Sequence, residues 1–201
     1  MKPFKTHRGL VVTLDRSNVD TDQIIAKQFL KSIARTGFGE HLFFDWRTRS
    51  DGKPNPDFAL NQPRFKGASI LVARNNFGSG SSREHAVWAI QQYGFQVVVA
   101  ESFADIFKNN CSKNALLTVE LSKPEIEEIF QMVDRTPRLE ATADVNEQRL
   151  TLHLSEEISF HFDIDAGVKE RLIHGLDDIS LTLKNEGAIR TFEKGHDVQL
   201  A

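Results

Sequence analysis

Apolar residues along this chain follow three rhythms, and each predicts a different element. Strands are predicted from Gly9 to Leu14, from Ala68 to Ala73, from Val97 to Ala100 and from Leu116 to Leu121, the second and third as short continuous apolar blocks, the pattern of strands buried on both faces. Between the second and third blocks, Ala86, Val87, Ala89 and Ile90 recur at helical spacing until Gly94, which ends the pattern as helix-terminal glycines do. Residues 68–100 therefore read as one βαβ unit, with a right-handed crossover expected. Ser122-Lys123-Pro124-Glu125 has the form of a capping box, followed by Ile126, Ile129, Phe130 and Val133 at helical spacing. The third rhythm is strict alternation: Leu139, Ala141, Ala143 and Val145, then Leu150, Leu152 and Leu154, then Ile158, Phe160, Phe162 and Ile164. It predicts antiparallel strands with one buried face.

The remaining segments are less regular. Ile24 to Ile33 holds a short helical pattern, and Gly37 and Gly39 interrupt the next stretch as a mobile segment would. Residues 47–66 carry Pro54, Pro56 and Pro63 and read as a long extended connection. Ser102 to Asn109 predicts a short helix. Asp165 to Gly195 predicts two helices divided at Gly175, the second capped by Asp177 or Asp178. Parallel strands with crossover helices, followed by an antiparallel set, make the fold α/β.

Composition narrows the functional classes. The 201 residues, 40% of them apolar, suffice for one domain with a full core. A net charge of −3 with both signs scattered points to no nucleic acid and no anionic membrane. The start, Met1 to Thr6, lacks the apolar stretch of a signal peptide, and no run reaches the roughly 18 apolar residues of a membrane span. The expected address is cytoplasmic. Cys111 is the single cysteine, so the chain offers no internal disulfide and no set of thiolates for a metal cluster. Asn18, Asp20 and Asp22 imitate the start of a calcium loop, but Gln23 stands where its glycine belongs and Phe29 where its bidentate acid belongs. The segment reads instead as a turn and helix cap built from Asx side chains. His153 and His161 match no metal-ligand spacing.

Candidate chemistry concentrates in Asn76-Phe77-Gly78-Ser79-Gly80-Ser81-Ser82-Arg83-Glu84-His85, between a buried strand and a helix. Gly78 and Gly80 permit close approach of a ligand, and the helix start leaves amide N–H groups unpaired, which favours an anion. Ser81 and Ser82 add hydroxyls, and Arg83 adds a planar fork of donors suited to a carboxylate or phosphate. A Walker loop is excluded because no lysine is present, and the nucleophile elbow G-x-S-x-G is not formed. The dinucleotide fingerprint is met at Gly78 and Gly80 but has Arg83 in place of its third glycine, although Glu101 lies where a ribose-binding acid would. Three readings stay open on the residues: an enzyme site, a silent anion-binding module, and a helix whose serines serve only as caps.

The same stretch, with Asn18-Val19-Asp20-Thr21-Asp22-Gln23-Ile24-Ile25, Arg35-Thr36-Gly37-Phe38-Gly39 and Ser102-Phe103-Ala104-Asp105-Ile106-Phe107, resembles the swivelling domain of the aconitase superfamily in its stand-alone, small-subunit form. The resemblance covers nearly the whole chain. It implies a three-layer β/β/α swivelling domain over residues 1–201 that closes over a larger partner subunit. That partner would hold the 4Fe-4S cluster whose open iron binds the substrate, with no cofactor bound by this chain.

The activity implied is the hydro-lyase isomerisation of 2-isopropylmalate to 3-isopropylmalate through isopropylmaleate, a step of leucine synthesis. By resemblance, Ser81 is the base as an alkoxide, and Ser82 and Arg83 hold the substrate carboxylate and the developing charge. Asp20, Asp22, Gly78 and Gly80 shape the supporting loop. A helix N-terminus contributes up to about 2 kcal/mol, roughly one and a half pKa units, so Arg83, exclusion of water and the iron must supply the rest of the serine's activation. The family assigns substrate choice to Phe29, Leu30, Lys31 and Ile33. Their apolar members favour an isopropyl group, while Lys31 leaves citrate-like or methylated substrates open. Arg16 is a further candidate carboxylate anchor.

Overall fold

The computed structural model describes residues 1–30 and 35–196. Among these residues, seven strands form one curled sheet in the order β4-β3-β2-β1-β5-β6-β7. Its parallel half comprises β1 (Thr6–Leu14), β2 (Ile70–Ala73), β3 (Val97–Ala100) and β4 (Leu117–Glu120). Its antiparallel half adds β5 (Glu140–Asp144), β6 (Arg149–Leu152) and β7 (Ile158–His161). The two halves meet in β1, whose residues Thr6 to Leu10 pair with β5 while Val11 to Leu14 pair with β2. Each half of that strand thus serves a different ladder.

Burial follows the patterning. Every residue of β2 and β3 is buried, as strands covered on both faces require, whereas β5 and β6 alternate. The helices are α1 (Thr21–Ile24), α2 (Phe44–Arg47), α3 (Glu84–Tyr93), α4 (Asp105–Lys113), α5 (Lys123–Arg135), α6 (Ala166–His174), α7 (Asp178–Leu183) and α8 (Glu186–Gly195). Helix α5 carries the expected capping box between Ser122 and Glu125 and buries Ile126, Ile129, Phe130 and Val133.

Four expectations need correction. The C-terminal segment forms three helices, because the chain turns again at Lys184 and Asn185 after the expected break at Gly175 and cap at Asp177. The helix expected from Ser102 begins at Asp105, since Phe103 instead pairs with Phe77 in an isolated parallel bridge. Residues 47–66 are no simple extended connection: two 3-10 turns, Ala59–Asn61 and Pro63–Phe65, help carry Phe58, Leu60 and Phe65 into the core. Gly39 marks close packing rather than mobility, because a Cβ there would lie 2.6 Å from the backbone oxygen of Gln92 on α3.

Candidate active site

Three loops leave the carboxyl ends of β1, β2 and β3 and lie side by side. The amide of Gly78 donates to Val19 O at 2.7 Å, and that of Thr21 donates to Ser79 O at 2.9 Å. On the other side, Phe77 N donates to Ser102 O, and Ala104 N to Phe77 O, both at 3.0 Å. Side chains repeat the stitching: Asn76 Nδ2 donates to Asn18 Oδ1 at 2.8 Å, and Asn76 N to Ser102 Oγ at 2.8 Å. The glycine loop is therefore the middle member of a short continuation of the parallel sheet. At Gly78 the backbone has φ +78°, and a Cβ would overlap the Phe107 ring, so this position requires glycine for both reasons.

The two acids of the first loop divide the work. Asp20 caps α1, its Oδ1 accepting from Gln23 N at 2.8 Å while Gln23 Oε1 accepts from Asp20 N at 3.0 Å. Asp22 accepts from Arg83 Nη1 and also lies 3.5 Å from Lys27 Nζ. Between them, buried Thr21 donates from Oγ1 to Ser81 O at 2.9 Å and fixes the backbone where the serine pair begins.

Arg83 occupies the cap position before α3 in extended conformation, and no side chain caps that helix. The cap-only reading of Ser81 and Ser82 is therefore not supported, and both serines stay exposed. Ser81, Arg83, Gly78, Gly80 and Thr21 line a cavity of about 220 Å³, completed by Ala104, Asp105, Ile106 and Phe107 at the start of α4. Two helix N-termini thus open on one hollow, and Arg83 lies in its wall. The arrangement suits a carboxylate.

Of the residues singled out in the sequence, Ser81, Arg83, Gly78 and Gly80 meet at this cavity, with Asp20 and Asp22 behind it. Ser82 is adjacent but outside the lining. Phe29 stands elsewhere, stacked on His41 with ring centroids 3.8 Å apart, on a second cavity of about 330 Å³ that it shares with Gln28, Thr36, Gly37, Phe38 and His41. Leu30 ends a 3-10 turn, half-buried against the core. Lys31 and Ile33 lie outside the described residues. Arg16 belongs to neither hollow, since its guanidinium covers the Trp46 ring at 4.3 Å. Thr21, Asp105 and Ile106 were missed as lining residues. The signal for Thr21 was its place between two acids that both needed local partners.

Cys111 is buried in α4, and burial pushes its thiol pKa well above the ordinary range, the opposite of a metal-ready thiolate. Among the described residues, no group of three or more His, Cys, Asp or Glu side chains is arranged to hold a metal ion. No described helix is long and apolar enough to cross a membrane.

Residues 1–124 match the aconitase C-terminal domain family, the class that this sheet and loop define. Residues 178–199 match a second family, the C-terminal domain of the 3-isopropylmalate dehydratase small subunit. Curated relatives are similar almost end to end. The 3-isopropylmalate dehydratase small subunit of Desulforapulum autotrophicum is 54% identical over 203 residues, spanning 96% of this chain and 95% of the relative. That of Rhodopirellula baltica is 55% identical over 195 residues, spanning 96% and 98%. A crystal structure of 3-isopropylmalate dehydratase (leuD) from Methanocaldococcus jannaschii superposes with a TM-score of 0.64 at 23% identity, covering 94% of this chain and 99% of that one, and supports the fold. The chain belongs to the family of 3-isopropylmalate dehydratase small subunits.

Proposed function

We propose that this chain is the small subunit of a two-chain hydro-lyase that interconverts 2-isopropylmalate and 3-isopropylmalate through isopropylmaleate in leucine biosynthesis. The observation that carries the proposal is that Ser81 and Arg83 share one cavity wall while neither Ser81 nor Ser82 is used as a helix cap. The dinucleotide and silent-module readings lose ground to relatives above 50% identity that carry the dehydratase name.

In this reading Arg83, steadied by Asp22, binds a substrate carboxylate, and Ser82 adds a hydrogen bond from the open side. Ser81 moves the proton beside that carboxylate. Its hydroxyl is exposed in the isolated chain, where water would screen every charge that could activate it. Catalysis therefore needs a second protein surface to close the cavity. That surface belongs to a larger subunit with a 4Fe-4S cluster, which supplies Lewis-acid chemistry for the departing hydroxyl. In this reading substrate choice is assigned to the segment of Phe29, Leu30, Lys31 and Ile33, whose apolar members suit an isopropyl group. The whole chain acts as one swivelling domain, in the cytoplasm.

The test is reconstitution. The purified chain alone should leave 2-isopropylmalate unchanged, and adding the cluster-loaded large subunit should restore isomerisation. Turnover by the chain without a partner would overturn the proposal, as would an assembled pair that ignores this substrate.

A further inference from the structure

Helix α7 is tied to the body mainly by polar side chains. Surface helices bury an apolar stripe and present charge to water. Here the polar side chains of α7 and its flanks hold the segment to the body: Asp178 meets Arg171 at 2.6 Å and Lys113 at 3.0 Å, and Lys184 meets Glu170 at 2.6 Å. The N-terminal amine donates to Gly175 O at 2.9 Å just before α7. No residue of α7 or α8 belongs to the hydrophobic core or packs against it.

Leu181 and Ile189 are half-buried, but three other large apolar side chains point to solvent. Ile179 and Leu183, four apart on one face of α7, are 72% and 56% exposed, and Phe192 on α8 is 59% exposed. Three of the four large exposed hydrophobics among the described residues therefore lie on this one segment. On α8, Arg190 pairs with Glu186 within the helix at 2.6 Å, and the Phe192 ring stacks on His196 with centroids 3.9 Å apart. An apolar face of this kind marks an interaction site.

The occupant follows from what the segment adds. The aconitase C-terminal domain match ends at residue 124, whereas residues 178–199 match a family of small subunits. A domain at the end of a longer chain is tethered to its partner domain, but a separate subunit must find its partner through a surface. The fourth exposed hydrophobic, Ile106, marks where that surface begins, on the rim of the Ser81 cavity. Helix α4 runs from Ile106 at the cavity to Lys113, which grips Asp178 of α7. At 1.5 Å per residue its nine residues span roughly 13 Å, so one large partner closing the cavity also reaches α7.

We infer that Ile179, Leu183 and Phe192 form a docking face for the large subunit, continuous through α4 with the mouth of the active site. This rests on the two-chain reading above. A few residues buried near the centre carry most of the affinity in such interfaces.

The experiment measures binding of the purified full chain to the purified, cluster-loaded large subunit by sedimentation and biolayer interferometry. Leu183→Glu combined with Phe192→Glu should weaken Kd at least tenfold, leaving Tm of the isolated chain unchanged and kcat normal once the large subunit is saturating. Leu183→Gln combined with Phe192→Gln should weaken it in the same direction without adding charge. Unchanged Kd in both pairs overturns the inference. So does a wild-type chain that self-associates through this face, with the variants turning monomeric yet binding the large subunit normally. Ser81→Ala separates the two readings: if it binds like wild type and fails to turn over while the α7–α8 variants also bind like wild type, the docking face is wrong and the function stands. A wild-type chain that never binds the large subunit overturns both.

Discussion

Arg83 Nη1 donates to Asp22 Oδ1, joining the residue that precedes α3 to the first turn of α1, 61 positions earlier in the chain. The guanidinium is largely covered while the carboxylate is more open, with 14% and 39% of their side-chain surfaces exposed. The pair orients the fork more than it stabilises the fold, because half-exposed ion pairs contribute about 0.2 to 1 kcal/mol.

Asp22→Asn should accordingly leave Tm nearly unchanged and lower kcat/KM about tenfold or more, the scale of one charge-assisted hydrogen bond at roughly 1.5 to 3 kcal/mol. Steady-state kinetics of the assembled enzyme, set beside melting of the isolated chain, decide it. A large fall in Tm with normal kinetics would make the pair structural.

Ser81→Ala removes a hydroxyl that caps no helix, so stability should change by less than the roughly 0.5 to 2 kcal/mol of a lost cap. If Ser81 carries the proton, kcat in the assembled enzyme should fall by about two to four orders of magnitude. Melting and turnover measured on the same preparation separate the two roles.

Gly78→Ala should be severe for a geometric reason. A side chain at φ +78° strains the backbone by about 1 kcal/mol or more, and its overlap with the Phe107 ring adds overpacking of about 1 to 3 kcal/mol. Denaturant unfolding should show a loss of about 2 to 4 kcal/mol. Gly52→Ala, at a similar φ of +80° but with open space around it, should show only the backbone part.

Acid should release the C-terminal helices. Arg171 and then Lys113 hold the Asp178 carboxyl below its usual range, and Lys184 does the same for Glu170. Groups with depressed native pKa values contribute fully above the ordinary carboxylate value, about 4, and lose that contribution as pH falls through their lower native values. Hydrogen exchange should show α7 losing protection in that acidic window before the central strands do, and high salt should move the loss to higher pH.

Leu30→Arg tests substrate choice, since apolar cover for one alkyl group is worth about 1 to 3 kcal/mol. The ratio of kcat/KM for isopropylmalate over a more acidic analogue should fall about ten- to two-hundred-fold. An unchanged ratio would move the determinant to the partner.

The paired βαβ core was legible because Ile70 to Ala73 and Val97 to Ala100 are apolar at every position, a signal that needs no tertiary information. The alternating strands were legible for the matching reason. What failed depended on neighbours distant in sequence. Phe103 is apolar and near a helix start, yet it lies in a bridge to Phe77, and only the fold shows that a strand end waits there. Gly39 has the composition of a flexible joint and is in fact the point where a turn presses on α3. At the cavity, Ser81 and Arg83 were marked by their own chemistry, whereas Thr21 and Ile106 enter the lining because β1 and β3 flank β2.

That β1 serves two ladders bears on how the molecule is made. Its C-terminal half finds β2 after some sixty residues of synthesis, but Arg8 must wait for Glu140, 132 positions later. Until then the first strand of a nascent chain keeps its N-terminal half unpaired, an open edge of the kind that recruits other chains. Closing so long a loop costs little more than closing a medium one, yet it slows the search. The rate of refolding, and the yield of soluble chain during synthesis, should therefore be governed by the arrival of β5 more than by the glycine loop.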